Sequence, residues 1–306
     1  MSYESLGLGV VSRQSLRDRL LVLRAIDLFD GADDAALLLL TEQARATSFR
    51  AGEVISRDGD AARALHVVTA GRATLVRNGL EVSFGPGMAF GVLSLLARQP
   101  MSLARATEDS RVLEIPAAAL EGAIDESFSL LRSMLRVVGA AVLKARGNLP
   151  ADPLAERTVE EGGFHEQARS FVERLIELRT GPFGYMNLEA LVELARSMRE
   201  VRFAKGQVLW SIGDASTHAY HLDYGRVRCT SRDGRHVDVG RGFTIGVLDV
   251  WGSEGRVYEA HAETELIGYQ IDFESFLSLL ETHGEVGTDI LRGFARALLE
   301  HHGAVR

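Results

Sequence analysis

The sequence repeats itself once, and this internal repeat limits the possible folds more than any other feature. FRAGEVISRDGDA begins at Phe49, and FAKGQVLWSIGDA begins 154 residues later at Phe203. The same offset aligns further pairs, among them Gly52 with Gly206, Gly71 with Gly225 and Leu37 with Leu191. It grows to 155 at Gly91 and Gly246, as expected where a loop has accepted an insertion. A repeat of this length indicates a duplicated domain and not the short unit of a solenoid.

Each copy has the same order of predicted elements. Leu16, Leu20 and Leu23 share one face of a predicted first helix, and Asp33 and Asn187 are suited to cap the helix that follows in each copy. Short alternating apolar runs separated by glycine come next and favour an antiparallel barrel. A closing helix is predicted over 126–146 and again over 286–301. The predicted fold class is α+β, with two small jelly-roll-type β-barrels flanked by helices.

The repeat also sets the domain boundaries. We expect a first domain over 1–147, which includes the N-terminal helix, and a second domain over 165–306. Residues 148–164 lie between them and are rich in acidic residues, proline and glycine. That composition predicts an acidic linker.

Composition narrows the class of protein further. The chain has 42 acidic and 34 basic side chains, a net charge of −8, which disfavours a general attraction to nucleic acid or anionic lipid. Cys229 is the only cysteine, so an internal disulfide and a cysteine-rich zinc site are excluded. No apolar run reaches the ~18 residues of a membrane span, and no secretory signal is recognisable. These features predict a cytoplasmic protein.

Several spaced motifs carry a resemblance to a known family. They are the Phe-x-x-Gly-(Glu/Gln)-Val opening, the Gly-Asp turn that follows it, the later Gly-Arg pair and the string FGVLSLLARQPMSLARATEDSRVLEIP over 90–116. Both copies resemble the cyclic nucleotide-binding domain of catabolite-activator regulators and of the tandem regulatory subunit of cAMP-dependent protein kinase. The resemblance implies that residues 90–116 contain a phosphate-binding cassette.

In that family the cassette binds through backbone N–H groups, a glutamate that accepts from the ribose hydroxyl and an arginine that pairs with the phosphate. The glutamate position is Val92 in the first copy and Val247 in the second. Met101 stands at the arginine position of the first copy, whereas the second copy has Arg256. By resemblance, the candidate ligand-binding residues are Gly91, Val92, Leu93, Met101 and Ser102 in the first copy and Gly246, Val247, Leu248, Trp251, Arg256 and Val257 in the second.

The substitutions predict different ligand behaviour in the two copies. A charge-assisted hydrogen bond contributes ~1.5–3 kcal/mol, and every ~1.4 kcal/mol changes affinity tenfold. We therefore expect the first copy to bind neither cAMP nor cGMP. In the second copy, Arg256 either holds a divergent nucleotide or small anion, together with the backbone of 246–248, or is a solvated loop arginine. Trp251 is the residue to test if that copy binds an aromatic ligand.

Other functions have less support in the sequence. His218 and His221 are three residues apart, which on a strand places them on opposite sides, so neither a cupin-type metal site nor any other metal site is predicted. No phosphate-binding loop or catalytic serine motif is present, and we expect neither an enzyme nor a cofactor. The resemblance to DNA-binding regulators covers their sensor domain only, because no helix-turn-helix segment follows either copy, so direct DNA binding is not expected.

The prediction for function is a non-enzymatic regulatory or adaptor protein of signal transduction that binds another protein. We expect its closing helices to provide the docking surface. The alternative is a second-messenger receptor that binds through Arg256. A kinase inhibitor has less support, because no Arg-Arg-x-Ser/Ala segment precedes the first copy. The identity of the partner and the oligomeric state stay open.

Overall fold

The computed structural model describes residues 16–151, 158–181, 183–252 and 255–304. The chain divides into two compact units, 1–127 and 128–306. Each is an α+β unit in which two four-stranded antiparallel sheets form a jelly-roll-like barrel with helices at its ends. No helix in the described part of the chain combines the length and the apolar character needed to cross a membrane.

The first unit contains four α-helices and eight strands in its described part. Its helices are α1 (Leu16–Arg24), α2 (Asp34–Gln43), α3 (Val92–Ala97) and α4 (Ala117–Glu126), with a 3-10 turn at Asp27–Phe29. Its strands are β1 (Arg45–Phe49), β2 (Val54–Ser56), β3 (Ala64–Ala70), β4 (Ala73–Arg77), β5 (Leu80–Phe84), β6 (Ala89–Phe90), β7 (Leu103–Ala106) and β8 (Ser110–Pro116). The sheets have the strand orders β1-β8-β3-β6 and β2-β7-β4-β5. Asp33 caps α2 as predicted, since its side chain accepts from the N–H of Ala36 at 2.8 Å.

The second unit repeats this arrangement strand for strand. Its strands are β9 (Arg199–Phe203), β10 (Val208–Trp210), β11 (His218–Tyr224), β12 (Val227–Ser231), β13 (His236–Val239), β14 (Thr244–Ile245), β15 (Tyr258–Ala262) and β16 (Leu266–Asp272). Its helices are α5 (Phe128–Ala145), α6 (Phe171–Thr180), α7 (Leu188–Ser197), α8 (Val247–Gly252), α9 (Phe273–Thr282) and α10 (Gly284–Ala304). The sheets have the orders β14-β11-β16-β9 and β10-β15-β12-β13. Asn187 caps α7 as predicted, and Cys229 is fully buried inside the barrel.

Helix α5 is the main difference from the expected boundaries, because it belongs to the second unit although it closes the first copy in sequence. It packs against α8 and α10. A Cβ added at Gly139 would lie 3.2 Å from Cβ of Trp251 and 3.3 Å from Cε2 of Phe294. Seven apolar side chains of α5 are buried, namely Leu130, Leu131, Met134, Leu135, Val138, Val142 and Leu143. This face of α5 therefore does not provide the expected docking surface, and for the closing helix over 286–301 the expectation stays a prediction.

The segment that follows α5 also differs from the expected acidic linker. Leu149, Pro150 and Ala151 are buried, and Leu149 and Ala151 belong to the core cluster of the second barrel. Farther along, the backbone carbonyls of Glu160 and Glu161 accept hydrogen bonds from the second barrel. The described parts of 148–164 are thus packed on the second unit. We call residues 147–151 the crossing segment.

Candidate functional site

The cassette of the first unit begins where β6 ends and α3 starts. Gly91 has a φ of 90°, a left-handed conformation that favours glycine. A Cβ at this position would lie 3.1 Å from Cε of Met101 and 3.2 Å from the carbonyl oxygen of Ala64. The turn is therefore held close against the barrel. Val92 and Leu93 follow on α3 and are half-buried.

Met101 fills the interior of the first barrel. Its side chain is buried in one cluster with Val68, Phe90 and Ala104. Ser102 is also buried, and its carbonyl oxygen accepts a hydrogen bond from Oγ of Ser56 at 2.8 Å. The position that holds an arginine in the resembling family is thus an apolar part of the core here.

The cassette of the second unit has the same backbone turn. Gly246 has a φ of 87° and precedes α8, which starts with Val247 and Leu248. The N–H of Gly246 donates to Oη of Tyr258 at 2.9 Å, and Tyr258 is fully buried. Burial raises the pKa of the Tyr258 phenol well above its ordinary value, so the hydroxyl is neutral. One backbone donor of this turn is therefore already bound to a side chain of the protein.

Arg256 lies inside the second barrel, with only 2% of its surface exposed. Its Nη1 donates to Oδ2 of Asp249 at 2.8 Å, and its Nη2 donates to the carbonyl oxygen of His218. The guanidinium carbon lies 4.0 Å from the ring centroid of Trp210. The interpretation of Arg256 as a solvated loop residue is therefore wrong.

Asp249 is the residue of this site that the sequence interpretation missed. Its side chain is fully buried on α8. Burial raises the pKa of Asp249, although the charge of Arg256 acts in the opposite direction. The two residues form a buried ion pair, so the charge of Arg256 is already paired with a carboxylate of the protein.

Backbone hydrogen bonds show that Met101 and Arg256 occupy equivalent positions. The N–H of Met101 donates to the carbonyl of Asp60 at 2.7 Å, and the N–H of Arg256 donates to that of Asp214 at 2.8 Å. Ser94 and Asp249 are equivalent by the same offset of 155 residues. In the aligned repeat, Ser94 and Met101 of the first copy are both replaced by charged residues, Asp249 and Arg256, in the second. This joint replacement was a signal that the two positions interact. Val257, half-buried beside the core, is the extra residue that precedes Tyr258 in the second copy.

The buried histidines are held neutral by their surroundings. Burial lowers the pKa of His66 to about 4, and its ring stacks on Phe90 with 4.9 Å between centroids. Burial also lowers the pKa of His221 to about 4, and its Nδ1 lies 3.0 Å from Oγ1 of Thr244. The ring of His218 packs edge-on against the ring of Tyr220. Among the described residues, no group of three or more His, Cys, Asp or Glu side chains is arranged to hold a metal ion.

Trp251 lies at a cavity outside the second barrel. The cavity has a volume of about 820 Å³ and is bounded mainly by aromatic and aliphatic side chains of α8, α9 and α10. Trp251 itself is buried and packs edge-on against Phe273, with 5.1 Å between the ring centroids. Arg256 is not part of the cavity wall. The structure therefore does not bring Trp251 and Arg256 together around one space.

A second buried carboxylate, Asp223, holds the segment before α6 on the barrel. Arg169 donates two hydrogen bonds to it at 2.6 and 2.8 Å, and Nε2 of His165 lies 2.8 Å from Oδ2. Burial opposes the charge of Asp223, but the hydrogen bonds from Arg169 and His165 outweigh that effect and lower its pKa. No spacing pattern indicated this contact, which joins residues more than fifty positions apart. It attaches residues 165–169 to the second barrel.

Comparison with protein families gives one match that occurs twice. The family described as "Cyclic nucleotide-binding domain" matches residues 46–127 and again residues 200–283. Together these ranges cover more than half of the chain. Each range includes one complete cassette. A search of curated proteins found no match.

Solved structures with a similar chain include tandem regulatory proteins and a smaller protein. The regulatory subunit of a cAMP-independent protein kinase A from Trypanosoma cruzi, bound to guanosine, is 16% identical, with 92% of this chain and 88% of that chain covered and a TM-score of 0.35. The regulatory domain of Toxoplasma gondii PKA with cAMP is 19% identical, with coverage of 90% and 94% and a TM-score of 0.34. A putative cyclic nucleotide-binding protein from Geobacter metallireducens is 31% identical over 40% of this chain and 93% of that chain, with a TM-score of 0.36.

Proposed function

Because the chain belongs to the cyclic nucleotide-binding domain family through both of its halves, we propose that it is a non-enzymatic regulatory protein that binds neither cAMP nor cGMP. It acts as an adaptor that contacts another protein. The observation that carries this proposal is the state of the arginine position in each barrel. It is occupied by buried Met101 in the first unit and by an arginine already paired with Asp249 in the second.

In the first unit, a cyclic phosphate would meet the apolar end of Met101 where the family supplies a guanidinium. Val92 offers no acceptor to a ribose hydroxyl. Unpaired phosphate and hydroxyl groups cost about 1–3 kcal/mol each when they lose water, so affinity falls by orders of magnitude. The geometry of this barrel supports a structural role for its cassette.

In the second unit, the alternative function is a receptor for a nucleotide or small anion that binds through Arg256. Such a ligand would have to replace Asp249 and the carbonyl of His218, and it would leave the Asp249 carboxylate buried without its arginine. Breaking a buried ion pair costs about 3–5 kcal/mol. This cost favours the adaptor over the receptor.

Isothermal titration of the full chain with cAMP and with cGMP tests the proposal. We expect no binding up to millimolar nucleotide. The matched control is Asp249→Ser with Arg256→Met, which gives the second unit the residues of the first. This double variant should likewise show no binding of either nucleotide. Micromolar binding by the wild-type chain that this double variant loses would establish the receptor instead.

A further inference from the structure

The inner face of the β4–β5 hairpin in the first unit is an exposed apolar surface. It consists of Leu75, Val82 and Phe84, which we call the first hairpin face. Val82 is 46% exposed, although apolar. Leu75 and Phe84 are half-buried and pack against the core cluster that contains Met101. The barrel interior is therefore continuous with an apolar surface in contact with water.

The equivalent surface of the second unit is buried. The register is the same in both hairpins, since Leu75 pairs with Val82 on β4 and β5, and Cys229 pairs with Val237 on β12 and β13. Phe84 corresponds in the same way to Val239. Cys229, Val237 and Val239 form the second hairpin face, and Val237 is only 7% exposed where Val82 is 46% exposed.

The crossing segment packs into the core cluster that contains the second hairpin face. Leu149 and Ala151 belong to the buried cluster that includes Cys229, Val237 and Val239. At the tip of the hairpin, Nη2 of Arg235 lies 3.5 Å from the carbonyl oxygen of Gly147. A short bent stretch with a leucine and, two residues later, an alanine thus contributes to the core of the second barrel.

From this equivalence we infer that the first hairpin face binds a short apolar segment of a partner protein, with a leucine followed two positions later by a small residue. The inference rests on the proposed adaptor function and supplies its contact surface. The crossing segment of a second copy is not the occupant, because Leu149 is fully buried in its own unit. The bound stretch is short. In the second unit the N–H of Arg241 donates to the carbonyl of Glu160, which lies farther along the chain than the crossing segment. The equivalent residue of the first unit is Pro86, which has no N–H to donate.

The test uses the full chain with labelled Leu and Val methyl groups and a capped peptide with the sequence of residues 146–152, Arg-Gly-Asn-Leu-Pro-Ala-Asp. Titration by NMR to millimolar peptide should give saturable shifts of the Leu75 and Val82 methyl signals. Val82→Asp should weaken binding at least tenfold. Because Val82 is exposed, this variant should keep the methyl spectrum of the folded chain elsewhere.

Two controls match the test. Val208→Asp changes another valine that is 50% exposed on a strand of the second unit, and it should bind the peptide as the wild type does. A peptide with Leu149→Asp should produce no shifts. Shifts confined to Val237 and Val239, or none at all, would overturn the inference, as would shifts that depend on protein concentration without peptide, since a second copy would then cover the face.

The outcome is separable from that of the proposed function. If neither nucleotide nor peptide binds, the proposed adaptor function is kept and the proposed contact surface is rejected. Nucleotide binding together with saturable shifts at Val82 would keep the surface and reject the nucleotide-free adaptor.

Discussion

The two barrels share one backbone frame and fill it with opposite chemistry. Gly91 and Gly246 make the same left-handed turn, and Met101 and Arg256 make the same backbone hydrogen bonds. The first unit then places a methionine in the core, whereas the second buries an ion pair between Arg256 and Asp249. The frame is thus set by the turn glycines and the strand register, and it does not depend on the charge of the residue that points inward.

The barrels also differ in what closes them. The second is completed by Leu149 and Ala151 from the crossing segment, and the first leaves Val82 exposed. The unit with the buried charges is therefore the one that is sealed by its own chain. Exclusion of water strengthens the attraction between Asp249 and Arg256, and the hydrogen bonds between them offset the desolvation cost of the two charges.

Removal of Asp249 should have the largest effect on this comparison. Asp249→Ala leaves the Arg256 guanidinium buried without its carboxylate, and we expect the second unit to lose about 3–5 kcal/mol of stability. Hydrogen exchange followed by mass spectrometry measures this, because it reports the second unit separately from the first. The first unit should keep its protection.

The double variant Asp249→Ser with Arg256→Met is the matched control, because the first unit tolerates these residues in the same frame. It should recover most of the lost stability, since replacement of both partners of a buried ion pair is often nearly neutral. A double variant as unstable as Asp249→Ala would show that the two frames are not equivalent.

Shortening Leu149 should have the next largest effect. Leu149→Ala removes a fully buried side chain from the second core, and such changes cost about 2–5 kcal/mol. Urea unfolding of the full chain, with hydrogen exchange to locate the loss, should place it in the second unit. Val82→Ala, on the exposed equivalent face, should change stability by no more than about 0.5 kcal/mol. A cost below about 1 kcal/mol for Leu149→Ala would mean that the crossing segment does not seal the barrel.

Much of the fold was predictable because a duplicated pattern provides its own comparison. The repeat predicted two barrels and the caps at Asp33 and Asn187, which depend on local spacing. The role of the crossing segment was not predictable, because three apolar residues stand in a stretch whose overall composition is polar. Their burial depends on where α5 ends relative to the second barrel, and that is a property of tertiary packing.

The candidate site was predictable in position and not in chemistry. The offset that aligns Gly91 with Gly246 located Met101 and Arg256, and it also aligned Ser94 with Asp249. An arginine at a loop position is usually solvated, and the pattern around Arg256 did not show that its side chain turns inward. Only the pairing of Asp249 with Arg256 on adjacent elements explains why the charge is kept without being exposed.

The smallest predicted effect is a loss of stability at low pH, which has a different source in each unit. His66 has a folded-state pKa of about 4 against an ordinary value of 6.5, so its stabilising effect is complete above pH 6.5 and is lost as the pH falls towards 4. At pH 5 this loss is about 2 kcal/mol. His66→Tyr, which installs the residue found at the equivalent position 220, should abolish the loss in the first unit, whereas the second unit keeps its acid sensitivity through His221. Hydrogen exchange at pH 5 and pH 7.5, corrected for the intrinsic exchange rate, measures both units in one sample. An unchanged acid sensitivity of the first unit in His66→Tyr would exclude His66 as its source.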